Sequence, residues 1–463
     1  MKSSKYIGSR DFYRHVLAIS VPIMLQNGIT NFVSMLDNIM VGGAGKVEMT
    51  GVAVSNQLIF VFTLCIFGAV SGAGIFGAQF YGKKDFIGMR NSFRFKLWLA
   101  VILTLIAGVT FGFFGNELIE PFLRGEGAPE DAAGSLKAAK DYLLVMIVGL
   151  LPTALAQCYA SSLRETGETL MPMKAGLIAV AVNLCFNYIL IFGHFGAPRL
   201  GAVGAAVATV MSRYVELAIL AVWTHKNKER FKFIEGAYRS AKIPAALTVQ
   251  MLKKGMPLMI NEALWAAGIA LLNQSYSTRG LDVVAAVNIS STFWNVFSVI
   301  FMAVGTSIGI IVGQQLGAGE FDKARDSDRK MMVFSIMISV IVAVIYIGAA
   351  QFIPDFYKVD AEIRALATKI MCISAAFMPV NAYAHASYFT LRSGGQTFVT
   401  FLFDSCFVWV VTVPLAFVLS RYTDVAILPL YAACQAVDII KCIIGTVLLK
   451  KGIWVRNIVT DEV

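Results

Sequence analysis

Residues 22–92 occur twice in this chain, the second time 235 positions later, and no gap is needed to align the copies. Pro22 falls on Pro257, Met24 on Met259, Ser55 on Ser290, and Gly74-Ile75 on Gly309-Ile310. The correspondence is sharpest at the end, where Gln79, Gly82, Phe86, Arg90 and Ser92 meet Gln314, Gly317, Phe321, Arg325 and Ser327. A weaker echo at an offset of 228 joins Leu163-Arg164, Gly167 and Thr169 to Leu391-Arg392, Gly395 and Thr397. Both echoes run in the same order, so the chain is a duplicated half. Function in such a chain is expected where the two copies face each other.

The medium follows from composition. With 57% hydrophobic and 15% charged residues, 463 residues carry more apolar surface than a soluble core buries. The apolar residues come in runs long enough to cross a bilayer, roughly twenty residues each. Twelve such runs are read, at about 14–41, 50–78, 95–115, 141–163, 168–193, 202–224, 255–277, 283–313, 331–353, 362–391, 397–420 and 426–449. The first is too long for a cleaved signal peptide. The polar link at 225–254 is the domain boundary, giving an N-terminal lobe 1–235 and a C-terminal lobe 236–463 with six spans each.

Basic residues orient the spans. With both termini in the cytoplasm, 27 of the 39 Lys and Arg fall on that side, eight on the other and four within spans. The net charge of +10 is thereby explained by membrane orientation, and no nucleic-acid partner is needed.

Nothing reads as a catalytic or metal centre. All seven cysteines lie inside apolar runs and none pair at metal-ligand spacing, so they are expected to be packing residues. Gly72, Gly74 and Gly77 have the spacing of a dinucleotide fingerprint, but they sit within a hydrophobic span, where close helix packing is the expectation. In order along the chain, an amphipathic tail from Tyr6 to Tyr13 precedes the first span, and a basic loop at 80–96 follows the second. Pro22 lies one to two turns into the first span, as a static kink or as a hinge, and Pro257 restarts the same pattern in span seven as the second hinge position. The third span is featureless, Gly115 to Lys140 reads as an external connector, and Gly204, Ala205, Ala206 and Ala208 form a small-residue packing face.

Charged residues at bilayer depth need a reason, since each costs about 2.5–3.5 kcal/mol at a helix centre. Arg213 and Glu216, and likewise Asp438 and Lys441, are three apart on the last span of each half and are expected to neutralise each other. Asp37, Glu262 and Asp404 have no local partner and are the default proton or cation sites. Around them stand Gln26, Asn27, Asn31, Gln57, Asn183, Asn187, Asn381 and His385, with Asn183 and Asn187 on one helical face.

Pro22 followed by Asp37-Asn-Ile-Met-Val-Gly resembles the first span of the multidrug and toxic compound extrusion (MATE) transporters. The Gln-x-x-Gly loops at 79–82 and 314–317, Leu-Arg-Glu-Thr-Gly at 163–167, and Leu200-Gly-Ala-Val-Gly-Ala-Ala resemble further motifs of that family. The resemblance covers essentially the whole chain. It implies an all-α membrane protein: two bundles of six transmembrane helices related by a pseudo-two-fold along the membrane normal, with a central cavity. It also implies export of organic substrates against inward flow of H+ or Na+. Asp37 and Asn183 match the N-lobe cation site of one branch, where Asn187 replaces an aspartate. Glu262 matches the span-seven glutamate of other branches, where Asn381 replaces a span-ten aspartate.

The resulting expectation is a monomeric antiporter of a bacterial cytoplasmic membrane, working by alternating access on amphipathic, cationic compounds, with no cofactor. Met24, Phe32, Met35, Trp265 and Trp294 join Gln26, Asn27, Asn31, Gln57 and His385 as expected cavity residues. Glu262 is favoured as the coupling residue with Asn381 as a neutral neighbour; Asp37, Asn183 and Asn187 form a second cluster. The alternatives are a lipid-linked sugar flippase and a membrane enzyme using Asp37 and Asp404 as a dyad.

Overall fold

In hydrocarbon every backbone N–H and C=O must find its partner within the protein, which leaves helices as the open-chain solution. The computed structural model describes residues 6–43, 45–123, 129–357 and 359–460, with the side chains of residues 34, 35, 38, 39, 46, 129 and 130 outside that description. Twelve helical spans cross the described residues, and no strand occurs among them. Spans 1–6 are Arg10–Gly42, Lys46–Lys83, Phe86–Leu123, Pro129–Glu165, Leu170–Phe192 and Gly201–Lys226. Spans 7–10 are Ala245–Ser277, Leu281–Gly317, Phe321–Ala350 and Ala361–Ser393. Span 11 covers Thr397–Arg421, and span 12 is made of Ile427–Ala436 and Asp438–Lys450. The fold is the all-α membrane architecture expected from the sequence.

Several spans outrun their apolar cores. Span 3 has 38 residues with a kink at Phe114 (φ −112°, ψ 16°), and its part before the kink, 86–113, is about 42 Å long at 1.5 Å per residue, against a hydrocarbon thickness of about 30 Å. The stretch at 80–96, read as a loop, is therefore mostly helix. Lys84 turns the chain at φ 64°, and Asp85 Oδ1 caps the new helix by accepting the N–H groups of Ile87 and Gly88 at 3.1 and 2.8 Å. Arg90, Arg94 and Lys96 thus lie on helical turns. The 319–330 stretch repeats the device, with Gly319 at φ 76° before span 9. The connector read from Gly115 to Lys140 shortens likewise, since span 3 runs to Leu123 and span 4 starts at Pro129.

Two compact units interleave in sequence. One contains the chain through Met24, Ala78–Lys84 and everything from Leu252; the other contains Leu25–Gly77 and Asp85–Met251. The first has a core around Leu272, Tyr276, Ile289, Tyr346, Met371 and Met378. The second is centred on Val52, Tyr142, Met146, Ile191 and Val210, with Ala205 and Ala206 letting spans 5 and 6 approach closely. The 227–244 link is held in place rather than trailing. Arg94 donates to the carbonyls of Gly236 and Ala237, each at 2.8 Å, and Phe231, Phe233 and Ile234 are buried.

The Gln-x-x-Gly repeats explain themselves inside the first unit. A Cβ on Gly82 would overlap the carbonyl of Gln314, and a Cβ on Gly317 would overlap the carbonyl of Gln79. Each copy supplies the gap that the other's backbone fills, a reciprocal contact of the kind a two-fold generates. The C-terminal tail lies over this crossing. Gln79 Nε2 donates to the carbonyls of Ser393 and Arg456 at 2.9 and 3.2 Å, and its Oε1 accepts the Ile458 N–H at 2.8 Å. Overpacking typically costs about 1–3 kcal/mol. Gly82→Ala and Gly317→Ala should therefore lower the detergent melting temperature by similar amounts. Gly348→Ala, with nothing within 4 Å of the added methyl, should leave it unchanged in the same fluorescence melting assay.

Candidate functional site

In the second unit the expected cluster assembles. Helical spacing puts Asn183 and Asn187 on one face of span 5, both buried, and brings them to Asp37 on span 1. Asn187 Nδ2 donates to Asp37 Oδ1 at 2.7 Å. With the Asn183 amide oriented to satisfy its neighbours, its nitrogen donates to Asp37 Oδ1 at 3.0 Å and its oxygen accepts from Thr209 Oγ1 at 3.2 Å. Asn187 Oδ1 is buried with no hydrogen-bond partner. An unsatisfied buried oxygen beside a carboxylate is a costly arrangement that a bound cation would relieve. The donor set is oxygen throughout, the chemistry of a hard cation. Among the described residues no group of three or more His, Cys, Asp or Glu could hold a metal ion. Arg213 is turned aside as expected, bonded to Glu216 on its own helix at 2.9 Å.

The first unit departs from expectation. Asp404 is not partnerless: Lys441 Nζ lies 2.5 Å from its Oδ1, and Asn261 Nδ2 donates to its Oδ2 at 3.1 Å. Lys441 therefore bonds across to span 11 and not to Asp438 on its own helix, because span 11 brings a carboxylate within reach of the ammonium. Asp404 belongs to a π-helical segment, Leu402–Cys406, followed by a second at Val408–Thr412. The widened turns are locked to span 7. Ser405 donates its N–H to Asn261 Oδ1 at 3.2 Å and its hydroxyl to the Asn261 carbonyl at 2.7 Å, and Trp409 Nε1 donates to the Leu264 carbonyl at 2.8 Å. Glu262, next along span 7, is half-buried and makes no hydrogen bond or ion pair among the described residues. Asn381 is not bonded to it. Its amide donates instead to the Phe377 carbonyl of its own helix at 3.1 Å. His385 packs beside Phe389, with ring centroids 5.0 Å apart.

The expected cavity residues divide. Asn27, Asn31, Phe32, Gln57 and Trp265 are exposed, and Met24 is partly buried. Gln26 is engaged, its Oε1 accepting from Arg164 Nη2 at 2.9 Å. Trp294 packs edge-on to Phe301 against the core, and the side chain of Met35 lies outside the described residues. Pro22 and Pro257 sit within helices that continue past them. Among the cysteines, Cys185 is exposed on span 5 rather than packed.

Sequence reading missed the most deeply buried ion pair. Lys96, read as the end of the basic 80–96 loop, is fully buried, with Nζ 2.5 and 2.7 Å from the two oxygens of Glu165 and 3.0 Å from Ser162 Oγ. The glycines with the dinucleotide spacing serve this pair: a Cβ on Gly77 would overlap Glu165 Oε2, and one on Gly74 would crowd Oε1. The offsets of the duplication carried the signal, since they send Lys96 to Met331 and Glu165 to Ser393, both buried and uncharged. A second buried acid was missed as well, Asp328, which accepts the Thr390 hydroxyl at 2.5 Å. Breaking a buried pair typically costs about 3–5 kcal/mol, whereas replacing both members is often close to neutral. Lys96→Met alone should sharply reduce the yield of monodisperse protein, and Lys96→Met with Glu165→Ser should recover most of it in size-exclusion profiles.

Known proteins resemble this chain over most of its length. The MatE family model matches the chain twice, over residues 22–189 and 257–418, so the two matches start on Pro22 and Pro257. The probable multidrug resistance protein NorM of Thermotoga maritima is 26% identical over 96% of this chain and 94% of its own. The probable multidrug resistance protein YoeA of Bacillus subtilis is 26% identical over 92% of this chain and 90% of its own. A solved outward-facing multidrug resistance MATE transporter of the MOP superfamily shares the fold, with a TM-score of 0.84 at 18% identity over 98% of both chains. With its duplication, its twelve spans and a family match over most of its length, the chain belongs to the MatE family of multidrug efflux transporters, and it is not an enzyme.

Proposed function

We propose that the protein is a cation-coupled antiporter, driven by H+ or Na+, that exports amphipathic cationic organic compounds by alternating access. The observation that carries this reading is the pairing state of the acids. Among the described residues Asp37 is hydrogen-bonded by neutral amides alone, with the Asn187 oxygen left over, and Glu262 has no hydrogen-bonded partner. Carboxylates without a fixed counter-ion at this depth are exchange sites: each can hold a proton, a sodium ion or a cationic substrate in turn. Charge entering the cell contributes about 2.3 kcal/mol per 100 mV. The exposed Asn27, Gln57 and Trp265 lie on spans at bilayer depth, where polar side chains face water or cargo rather than lipid. The relatives are named as multidrug resistance proteins, which supports small organic cargo.

The duplicated halves, 1–235 and 236–463, are the two lobes of this mechanism, with Pro22 and Pro257 as hinges in their first spans. Glu262 is the coupling residue, and Asp37, Asn183 and Asn187 form the second site. The protein acts as a monomer in a bacterial cytoplasmic membrane with both termini inside, an orientation supported by 27 of 39 basic residues.

The test is efflux of a fluorescent cation from vesicles with proton and sodium gradients imposed separately. Glu262→Gln is expected to abolish gradient-driven efflux while membrane insertion persists, and Asp37→Asn to weaken it at least several-fold. Wild-type rates for both variants across the pH range would show the acids to be structural and sink the mechanism.

A further inference from the structure

The two halves place a cation at the same position of their last span and use it differently. The offset of 228 sends Lys441 to Arg213. In span 6 Arg213 has Glu216 three residues on and bonds to it, which leaves Asp37 facing the amides of Asn183 and Asn187. In span 12 the position equivalent to Glu216 is Ile444, and Lys441 reaches across to Asp404 at 2.5 Å. Asp438, on the same helix as Lys441, makes no hydrogen bond or ion pair among the described residues. Lys441 is fixed where it stands: only 9% exposed, with Nζ 5.4 Å from the centroid of the Phe403 ring, the residue before Asp404. The other carboxylate oxygen of Asp404 is taken by Asn261, which also holds Ser405.

An ammonium at hydrogen-bond distance from a buried carboxylate neutralises the charge that a bound monovalent cation would neutralise. We propose that Lys441 is a tethered cation occupying the ion position beside Asp404 in the C-terminal half, so that this half binds no sodium at Asp404, whereas Asp37 and Glu262 stay open to a free cation. Lys441 is thereby a specificity-determining residue for the coupling ion. The inference rests on the antiport reading for its meaning, but it concerns binding and is tested on purified protein, apart from transport. The local packing agrees. With Asp404 saturated by Lys441 and Asn261, the π-helical turns of span 11 stay clamped on span 7, and the neighbouring Glu262 remains without a fixed counter-ion.

The experiment uses the full chain in detergent. Thermal melting is followed as sodium chloride replaces choline chloride at constant ionic strength, because an ion that binds only the folded state raises the melting temperature with its concentration. All variants carry Asp37→Asn to silence the other cluster. Asp37→Asn alone and Asp37→Asn/Lys441→Arg should show no sodium-specific shift that Asp404→Asn removes. Asp37→Asn/Lys441→Met should gain one of a few degrees, and adding Asp404→Asn should remove it. Lys441→Ala is prepared in parallel, since it leaves more room at the carboxylate. A sodium-specific shift in Asp37→Asn that Asp404→Asn abolishes would overturn the proposal. So would a folded Lys441→Met or Lys441→Ala protein that ignores sodium. Recovery of neither in sodium, while Asp404→Asn/Lys441→Met is recovered, would also overturn it, because sodium would then fail to replace the ammonium. Loss of vesicle efflux in these variants bears on the antiport reading alone.

Discussion

Hydrocarbon gives a polar group no partner, and every feature of this protein follows from how that demand is met. The backbone meets it with twelve helical spans among the described residues. Side chains meet it in three ways. Serine and threonine hydroxyls mostly return to the carbonyl three or four residues back, as Thr63 and Ser307 do. Buried bases find acids, as Lys96 and Lys441 do. A few acids have neutral partners or none among the described residues, Asp37 and Glu262 among them.

The acids of the spans differ in their partners. Glu165 and Asp404 are each within 2.5 Å of a lysine. Glu216 has Arg213 at 2.9 Å. Asp37 has amides, and Glu262 has neither a hydrogen bond nor an ion pair among the described residues. The duplication supplies the control. At positions equivalent to Lys96 and Glu165 the second copy buries Met331 and Ser393, so the shared scaffold does not require the charges. By contrast, the Gly82 and Gly317 contacts with the opposite Gln carbonyls are the same in both copies, as expected of a feature that holds the scaffold together.

Much was legible in one dimension. The apolar runs, the ungapped repeat and the Gln-x-x-Gly pairs required only the periodicity of helices and the length of a span. Asn183 with Asn187, and Arg213 with Glu216, were readable for the same reason: residues three or four apart on a helix share a face whatever else the chain does. Helix ends were less legible. Basic residues at 90–96 resemble a loop by composition, and only the left-handed turn at Lys84 and the cap at Asp85 show that the helix restarts at Phe86.

The sequence by itself determined the medium, the number of spans and the duplication, because these depend on local hydrophobicity and helical spacing; of the three acids it left alone, Asp37 and Glu262 have no ion pair among the described residues and Asp404 has one. The tertiary structure alone decided which acid belongs to which base. Lys441 is three residues from Asp438 and 37 from Asp404, yet it bonds to Asp404; Lys96 and Glu165 are 69 apart. A long flexible side chain in a low-dielectric interior takes whichever carboxylate the packing of neighbouring spans brings within reach. That packing follows from many apolar contacts at once, and no local spacing rule encodes it.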